Sequence, residues 1–147
     1  MVREYCTKCS KCGERTVAIA TVPYEVLIDH DGQSFKVAIP DFTVPKCGKC
    51  GNISHDQEAS EQISRAFRKQ AGLLQPDEIR NRRDSLGMSQ QSLAEMLAVS
   101  VTKYAAWETG ELIQTRSQDR FLRAFFIVPE LRKTLADRQA LELAPNT

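Results

Sequence analysis

Two short segments constrain this chain more than anything else in it. Cys9-Ser-Lys-Cys12-Gly13 and Cys47-Gly-Lys-Cys50-Gly51 repeat one pattern, two cysteines separated by two residues and followed by glycine. A tetrahedral zinc ion needs four soft thiolates converging on one point, and a two-residue spacer lets a tight turn aim both sulfurs at the metal. The glycine behind each turn relieves crowding there. Two such knuckles leave no coordination position open for water, so the pattern predicts one structural zinc per chain, held by Cys9, Cys12, Cys47 and Cys50, and no catalytic metal. Cys6-Thr-Lys-Cys9 offers the same spacing, so a Cys6/Cys9 pairing is the alternative; the glycine after Cys12, matched by the one after Cys50, favours Cys9/Cys12. His30 and His55 read as ordinary surface residues rather than ligands.

Cysteine usage agrees. All five cysteines precede residue 51, and an odd, clustered set suggests metal before disulfides in a reducing compartment. A module this short cannot rely on its core alone. Structural zinc contributes roughly 10–16 kcal/mol of apparent binding free energy, enough to decide whether it folds.

The chain has 147 residues, room for one ordinary domain or two small ones, with 27% charged and 41% hydrophobic residues. No apolar run is long enough to span a membrane, and the first residues lack the apolar core of a signal peptide, so a cytoplasmic protein is expected. The formal net charge of +1 at pH 7 provides no global basic field, which leaves only a local face for any polyanion.

Composition divides the chain into three parts: a zinc-binding β-module over 1–53, a linking helix and linker over 54–75, and a helical domain over 76–147. The predicted class is α+β. In the β-module, Thr16 to Ile28 and Phe35 to Ile39 read as strands around a turn at His30-Asp31-Gly32-Gln33. Phe42 to Val44 reads as a short third strand, and Pro23 as a bulge or an edge. The linking helix runs from Ser54 to Ala71, with a narrow stripe of Ile63 and Phe67. The last part reads as five helices. Pro76 opens the first, Ser89 and Ser100 cap the second and third, Gly110 ends the third, Thr115 and Gln118 form a capping box for the fourth, and Pro129 starts the fifth.

Ser89 to Gly110 satisfies the demands of a helix-turn-helix. Ala94 is the small residue where two helices touch, Leu93, Leu97 and Val99 face the core, and Tyr104 and Trp107 anchor the second helix inward. Ala98 stands at the turn position usually held by glycine; with a positive φ, alanine there costs about 1 kcal/mol. From Glu78 to Leu135 the sequence resembles the XRE/Cro-type helix-turn-helix family. That resemblance puts Val101, Thr102 and Ala106 at base-facing positions and Gln90 at the phosphate-gripping start of the preceding helix. Lys103, Arg116 and Arg120 are candidate phosphate ligands. Val101 and Ala106 cannot make the bidentate contacts of Arg or Gln but can pack on thymine methyls, so phosphate contacts and DNA shape should carry much of the affinity. The apolar stretch Phe121, Leu122, Phe125, Phe126, Val128, Leu131 and Leu135 supplies core and a candidate homodimer face.

The order of parts resembles the MqsA-type antitoxins, in which a YgiT-type zinc finger precedes a helix-turn-helix. The resemblance rests on both knuckles, Val22-Pro23-Tyr24, the link from Ala71 to Ile79, Trp107-Glu108-Thr109-Gly110, and the stretch from Gln114 to Leu122. It implies a dimer that represses its own operon by binding double-stranded operator DNA. It also implies an N-terminal domain that silences a partner toxin, an RNA-cleaving protein of MqsR type. Thr102 and Ala106 depart from the Asn and Arg that the family carries at its base-reading positions, so a shared operator is not implied. The alternative is a stand-alone transcriptional regulator with no toxin partner. No enzyme is expected: the chain has no Ser/His/Asp set, no HExxH and no glycine-rich phosphate loop, and its CxxC segments lack a βαβ context.

Overall fold

The computed structural model describes residues 7–145. It divides into two compact units, one ending at Ala71 and the other starting at Gly72.

The first unit is built on a long antiparallel hairpin, β1 (Val17–His30) and β2 (Gln33–Cys47). Asp31 and Gly32 form its two-residue turn with φ of 53° and 74°. Two successive positive φ values give the turn a twist that matches the strands, and Asp-Gly is a pair that tolerates them. Ser34 hydroxyl and Asp29 carboxylate close the turn from the side. The register slips once: Val22 pairs with Phe42 and Tyr24 with Ile39, so Pro23 stands opposite Pro40 and Asp41. Proline brings no N–H to a ladder, and a bulge is where its absence costs least. The same slip corrects the expectation of a third strand. Phe42 to Val44 continues β2 past the bulge, paired with Val22 to Ala20.

Helix α1 (Gln57–Ala71) packs on β2. Asp56 caps it, its Oδ1 accepting from the Ala59 N–H at 2.8 Å. Ala59 meets Phe42 and Val44 in one apolar cluster, all three fully buried. Phe67, also fully buried, takes the His30 and Phe35 rings edge-on at 5.2 Å each. Burying a phenylalanine or valine side chain is worth roughly 1.5–3 kcal/mol. Polar groups on α1 tie it to β2 as well. Gln62 Oε1 accepts from Thr43 N–H at 3.0 Å, while its Nε2 donates to Thr43 O at 2.8 Å. Gln70 Nε2 donates to Lys36 O at 2.7 Å.

The second unit is helical: α2 (Pro76–Ser85), α3 (Gln90–Met96), α4 (Val101–Thr109), α5 (Arg116–Ile127) and α6 (Pro129–Leu143). Local chemistry sets these boundaries. Ser89 Oγ accepts from Ser92 N–H at 3.1 Å and Ser100 Oγ from Lys103 N–H at 3.2 Å, each satisfying an orphan donor of a first turn. Thr115 and Gln118 cap α5 reciprocally at 3.2 and 2.9 Å. Gly110 ends α4 at φ 87°. Leu74, Ile79, Leu93, Ala94, Leu97, Tyr104, Trp107, Leu122 and Phe125 form one buried core. The turn between α3 and α4 holds Ala98 at φ 57°, a left-handed conformation without glycine. Arg132 Nη1, on α6, donates to the carbonyls of Phe125 and Phe126 at 2.7 and 3.1 Å, satisfying acceptors at the end of α5.

Candidate metal centre and nucleic-acid interface

The two knuckles have the same backbone geometry. Gly13 N–H donates to Cys9 O, and Gly51 N–H to Cys47 O, both at 2.9 Å. Cys9 N–H donates to Glu14 O at 2.8 Å, and Cys47 N–H to Asn52 O at 2.9 Å. Gly13 and Gly51 have φ of 78° and 74°, so each turn closes through a residue for which this conformation is unstrained. The hairpin register, Val17 against Cys47, brings the first knuckle to the second.

The four sulfurs Cys9, Cys12, Cys47 and Cys50 lie within 4.8 Å of one another. Cys9 Sγ is 3.6 Å from Cys50 Sγ, and Cys12 Sγ is 3.6 Å from Cys47 Sγ. Disulfide sulfurs stand about 2.05 Å apart, so these are thiols. A tetrahedron with ~2.3 Å zinc–sulfur bonds has edges of about 3.8 Å, which these separations match. The donor set therefore fits a thiophilic metal ion. Cys6 lies outside the described residues.

Hydrogen bonds prepare the sulfurs for charge. The Cys47 thiol is drawn down to about 6, first by the Thr16 hydroxyl at 3.1 Å and then by the Cys50 amide. Cys9 is also lowered, chiefly by the amides of Cys12 and Lys11. Cys12 is pulled down by the Glu14 amide, yet burial and the neighbouring thiols outweigh it and push the group up to about 11. A bound metal ion would take all four as thiolates. His30 and His55 take no part; they pack against Phe67 and against Tyr24 and Phe42.

The second candidate site is the exposed side of α4. Tyr104 and Trp107 are buried, with ring centroids 6.0 Å apart at 72°. Glu108 is buried beside them, a feature absent from the sequence reading. Its Oε1 accepts from Arg83 Nε at 2.6 Å, and its Oε2 from Arg83 Nη2 at 3.2 Å and Gln90 Nε2 at 2.8 Å. Arg83 Nη1 also reaches Met88 O at 2.8 Å. Burial alone would raise the Glu108 carboxyl, but the Arg83 and Gln90 hydrogen bonds outweigh it and hold the group below its ordinary value. Burial, and then Glu108 beside it, pushes the Tyr104 phenol far up. The available signal was spacing: Glu108 follows Tyr104 by four residues and so shares its inward face.

Val101, Thr102 and Lys103 are exposed, Val101 at 38%. Lys103 Nζ stands 6.0 Å from the Trp107 ring centroid. Arg120 is exposed on α5, and Arg116 is half-buried at the start of that helix. Ala106 is only 9% exposed. Past Gly110 the chain turns back, and Leu112 N–H donates to Ala106 O at 3.1 Å. Gln90, at the start of α3, is half-buried, and its Nε2 donates to Glu108 Oε2 at 2.8 Å.

A second buried polar network clamps the start of this unit. Asp119 Oδ1 accepts from Leu74 N–H at 2.7 Å and from Gln114 Nε2 at 3.1 Å, while Gln114 Nε2 also reaches Leu74 O at 2.9 Å. Arg123 pairs with Asp119 Oδ2 at 2.7 Å and donates to Gly72 O at 2.9 Å.

Fold and sulfur cluster together define a two-unit α+β protein with a candidate metal centre in its hairpin unit. The family model for the antitoxin component of bacterial toxin-antitoxin systems, MqsA, matches residues 7–136. The chain belongs to that family and is an antitoxin of a toxin-antitoxin system. No curated protein matches it. Among the described residues, no helix is long and apolar enough to cross a membrane.

Proposed function

We propose that this antitoxin binds operator DNA as a homodimer and represses its own operon, using α3 and α4 as a helix-turn-helix. The observation that carries this is the orientation of α4. Tyr104, Trp107 and Glu108 fix one side of the helix in the core, and Val101, Thr102 and Lys103 stand at the surface beside its capped first turn. A helix so presented fits the major groove, and Lys103, with Arg116 and Arg120 from α5, supplies charge for phosphates. One such module covers little DNA, and Phe121, Ile127 and Val128, exposed on and after α5, offer apolar surface to a second copy.

Zinc is the ion proposed for Cys9, Cys12, Cys47 and Cys50. It would supply cross-linking of the two knuckles and no chemistry. The first unit is proposed to bind a partner toxin of the RNA-cleaving MqsR type, and the protein to work in the cytoplasm without enzymatic activity. Titration of the full-length protein against its own upstream DNA and a scrambled duplex tests the reading. Preference for the upstream DNA, lost when Thr102 and Lys103 are both changed to Glu, is the expected result; equal affinity for the two duplexes overturns it. Co-purification with the product of the adjacent gene tests the toxin partner.

A further inference from the structure

The geometry points to an operator recognised mainly through thymine methyl groups, with Val101 and Thr102 as the residues that contact them. This inference rests on the DNA-binding reading of α4 and names what that helix reads.

The strongest sequence discrimination by hydrogen bonding comes from bidentate side chains facing the base edges, chiefly Arg, Asn or Gln. The described surface of α4 presents none that is placed for it. Gln90, the nearest amide on α3, donates to Glu108 at 2.8 Å. Lys103 Nζ stands 6.0 Å from the Trp107 ring centroid, and an ammonium is a point charge rather than a bidentate fork. Thr109 hydroxyl donates to Ala106 O at 3.3 Å, and Ala106 itself is recessed. What remains at the exposed first turn is Val101, 38% exposed, and Thr102.

These two side chains suit a methyl partner. Both are β-branched and therefore stiff at χ1, so little rotamer freedom is lost on contact. The turn that carries them is fixed by the Ser100 cap on the Lys103 N–H. In the major groove, thymine differs from cytosine by the C5 methyl as well as by its O4 acceptor, and that methyl projects into the groove where a helix lies. Uracil lacks the methyl and keeps the Watson–Crick pairing, which makes it a single-group probe. By the same logic 5-methylcytosine places a methyl at the equivalent position on a different base.

Random duplex libraries, one made with thymine and one with deoxyuridine, would be selected in parallel on the full-length protein. The expected result is a thymine-containing motif from the first library and loss of about fourfold in affinity for each contacted methyl in its uracil version, equivalent to ~0.8 kcal/mol. Cytosine at such a position should bind weakly and regain affinity as 5-methylcytosine. Val101→Ser and Thr102→Ser, the latter keeping the hydroxyl and dropping the methyl, should each reduce the thymine–uracil difference, and the double variant should erase it, while Trp107 fluorescence stays native. The same motif from both libraries with equal affinity overturns the methyl reading and leaves DNA binding standing. No enrichment from either library overturns DNA binding itself and this inference with it.

Discussion

Arg83 on α2 and Glu108 near the end of α4 are joined by two hydrogen bonds, Nε to Oε1 at 2.6 Å and Nη2 to Oε2 at 3.2 Å. Their side chains are 12% and 1% exposed. A pair this buried stabilises little relative to an apolar substitute, but removing one member strands the other charge. Glu108→Ala should therefore destabilise the second unit by about 3–5 kcal/mol. Glu108→Gln, which can still accept from Arg83, should cost less. Urea unfolding followed by Trp107 fluorescence measures both, and an unchanged midpoint in the alanine variant would contradict the assignment.

The same pair sets a pH limit. The folded Glu108 carboxyl lies below its ordinary value of 4.5, so the unfolded chain takes up its proton first as the solution is acidified. The contribution of the pair is fully present above about 4.5 and is lost as pH falls through the lowered folded value. Native protein should lose stability across that acid range more steeply than Glu108→Gln, which has no proton to bind at this site. Parallel slopes in a series of urea midpoints against pH would show that Glu108 does not contribute.

Ala98 carries a different cost. An L-residue at φ 57° crowds its Cβ against the following carbonyl, and Ala98 is exposed, so the methyl gains no burial in return. Ala98→Gly should stabilise the second unit by roughly 0.5–1 kcal/mol, the relief being partly offset by the greater freedom of glycine in the unfolded chain. Ala98→Val should destabilise, since a β-branched residue is a poor fit to this region. Thermal melts of the two variants should move in opposite directions.

Much of this was legible in the sequence because the signals are local. Ser89, Ser100, Thr115 and Gly110 mark helix ends through bonds made within four residues. The knuckle glycines announce the backbone turns that aim the sulfurs. What was not legible depends on residues far apart in the chain. Phe42 to Val44 joins β2 because Val22 pairs across the bulge, a matter of register rather than composition. Ala106 sits outward by periodicity, yet only 9% of it is exposed. Arg83 meets Glu108 across 25 residues of chain, and Asp119 meets the Leu74 N–H across 45. Long-range polar pairing leaves no periodic trace.

Metal should matter to one unit and spare the other. The sulfur cluster belongs wholly to the hairpin unit, and the single tryptophan, Trp107, lies in the core of the other. Chelation of the purified protein should abolish the hairpin's ordered structure while Trp107 emission and its urea midpoint stay unchanged. Metal analysis should find one zinc per chain, lost in Cys12→Ser and kept in Cys6→Ser. Zinc retained by the first and lost by the second would move the ligand to Cys6. A single cooperative loss of both signals on chelation would show that the units do not fold separately.

Lys103 provides the sharpest separation of affinity from specificity. Its ammonium stands 6.0 Å from the Trp107 ring centroid, a distance where the cation–π attraction is weak. As a phosphate ligand it would neutralise one backbone charge and release the counterions condensed there. Lys103→Ala should weaken binding by a similar factor on operator and scrambled duplexes, and lower the slope of log affinity against log salt by roughly one unit. Stability should hardly change, because an exposed lysine loses little on truncation. Fluorescence anisotropy across a salt series measures both quantities on the same samples. A variant that loses operator affinity but keeps its salt slope would assign Lys103 to base reading, and one that binds like the parent at every salt concentration would remove it from the interface.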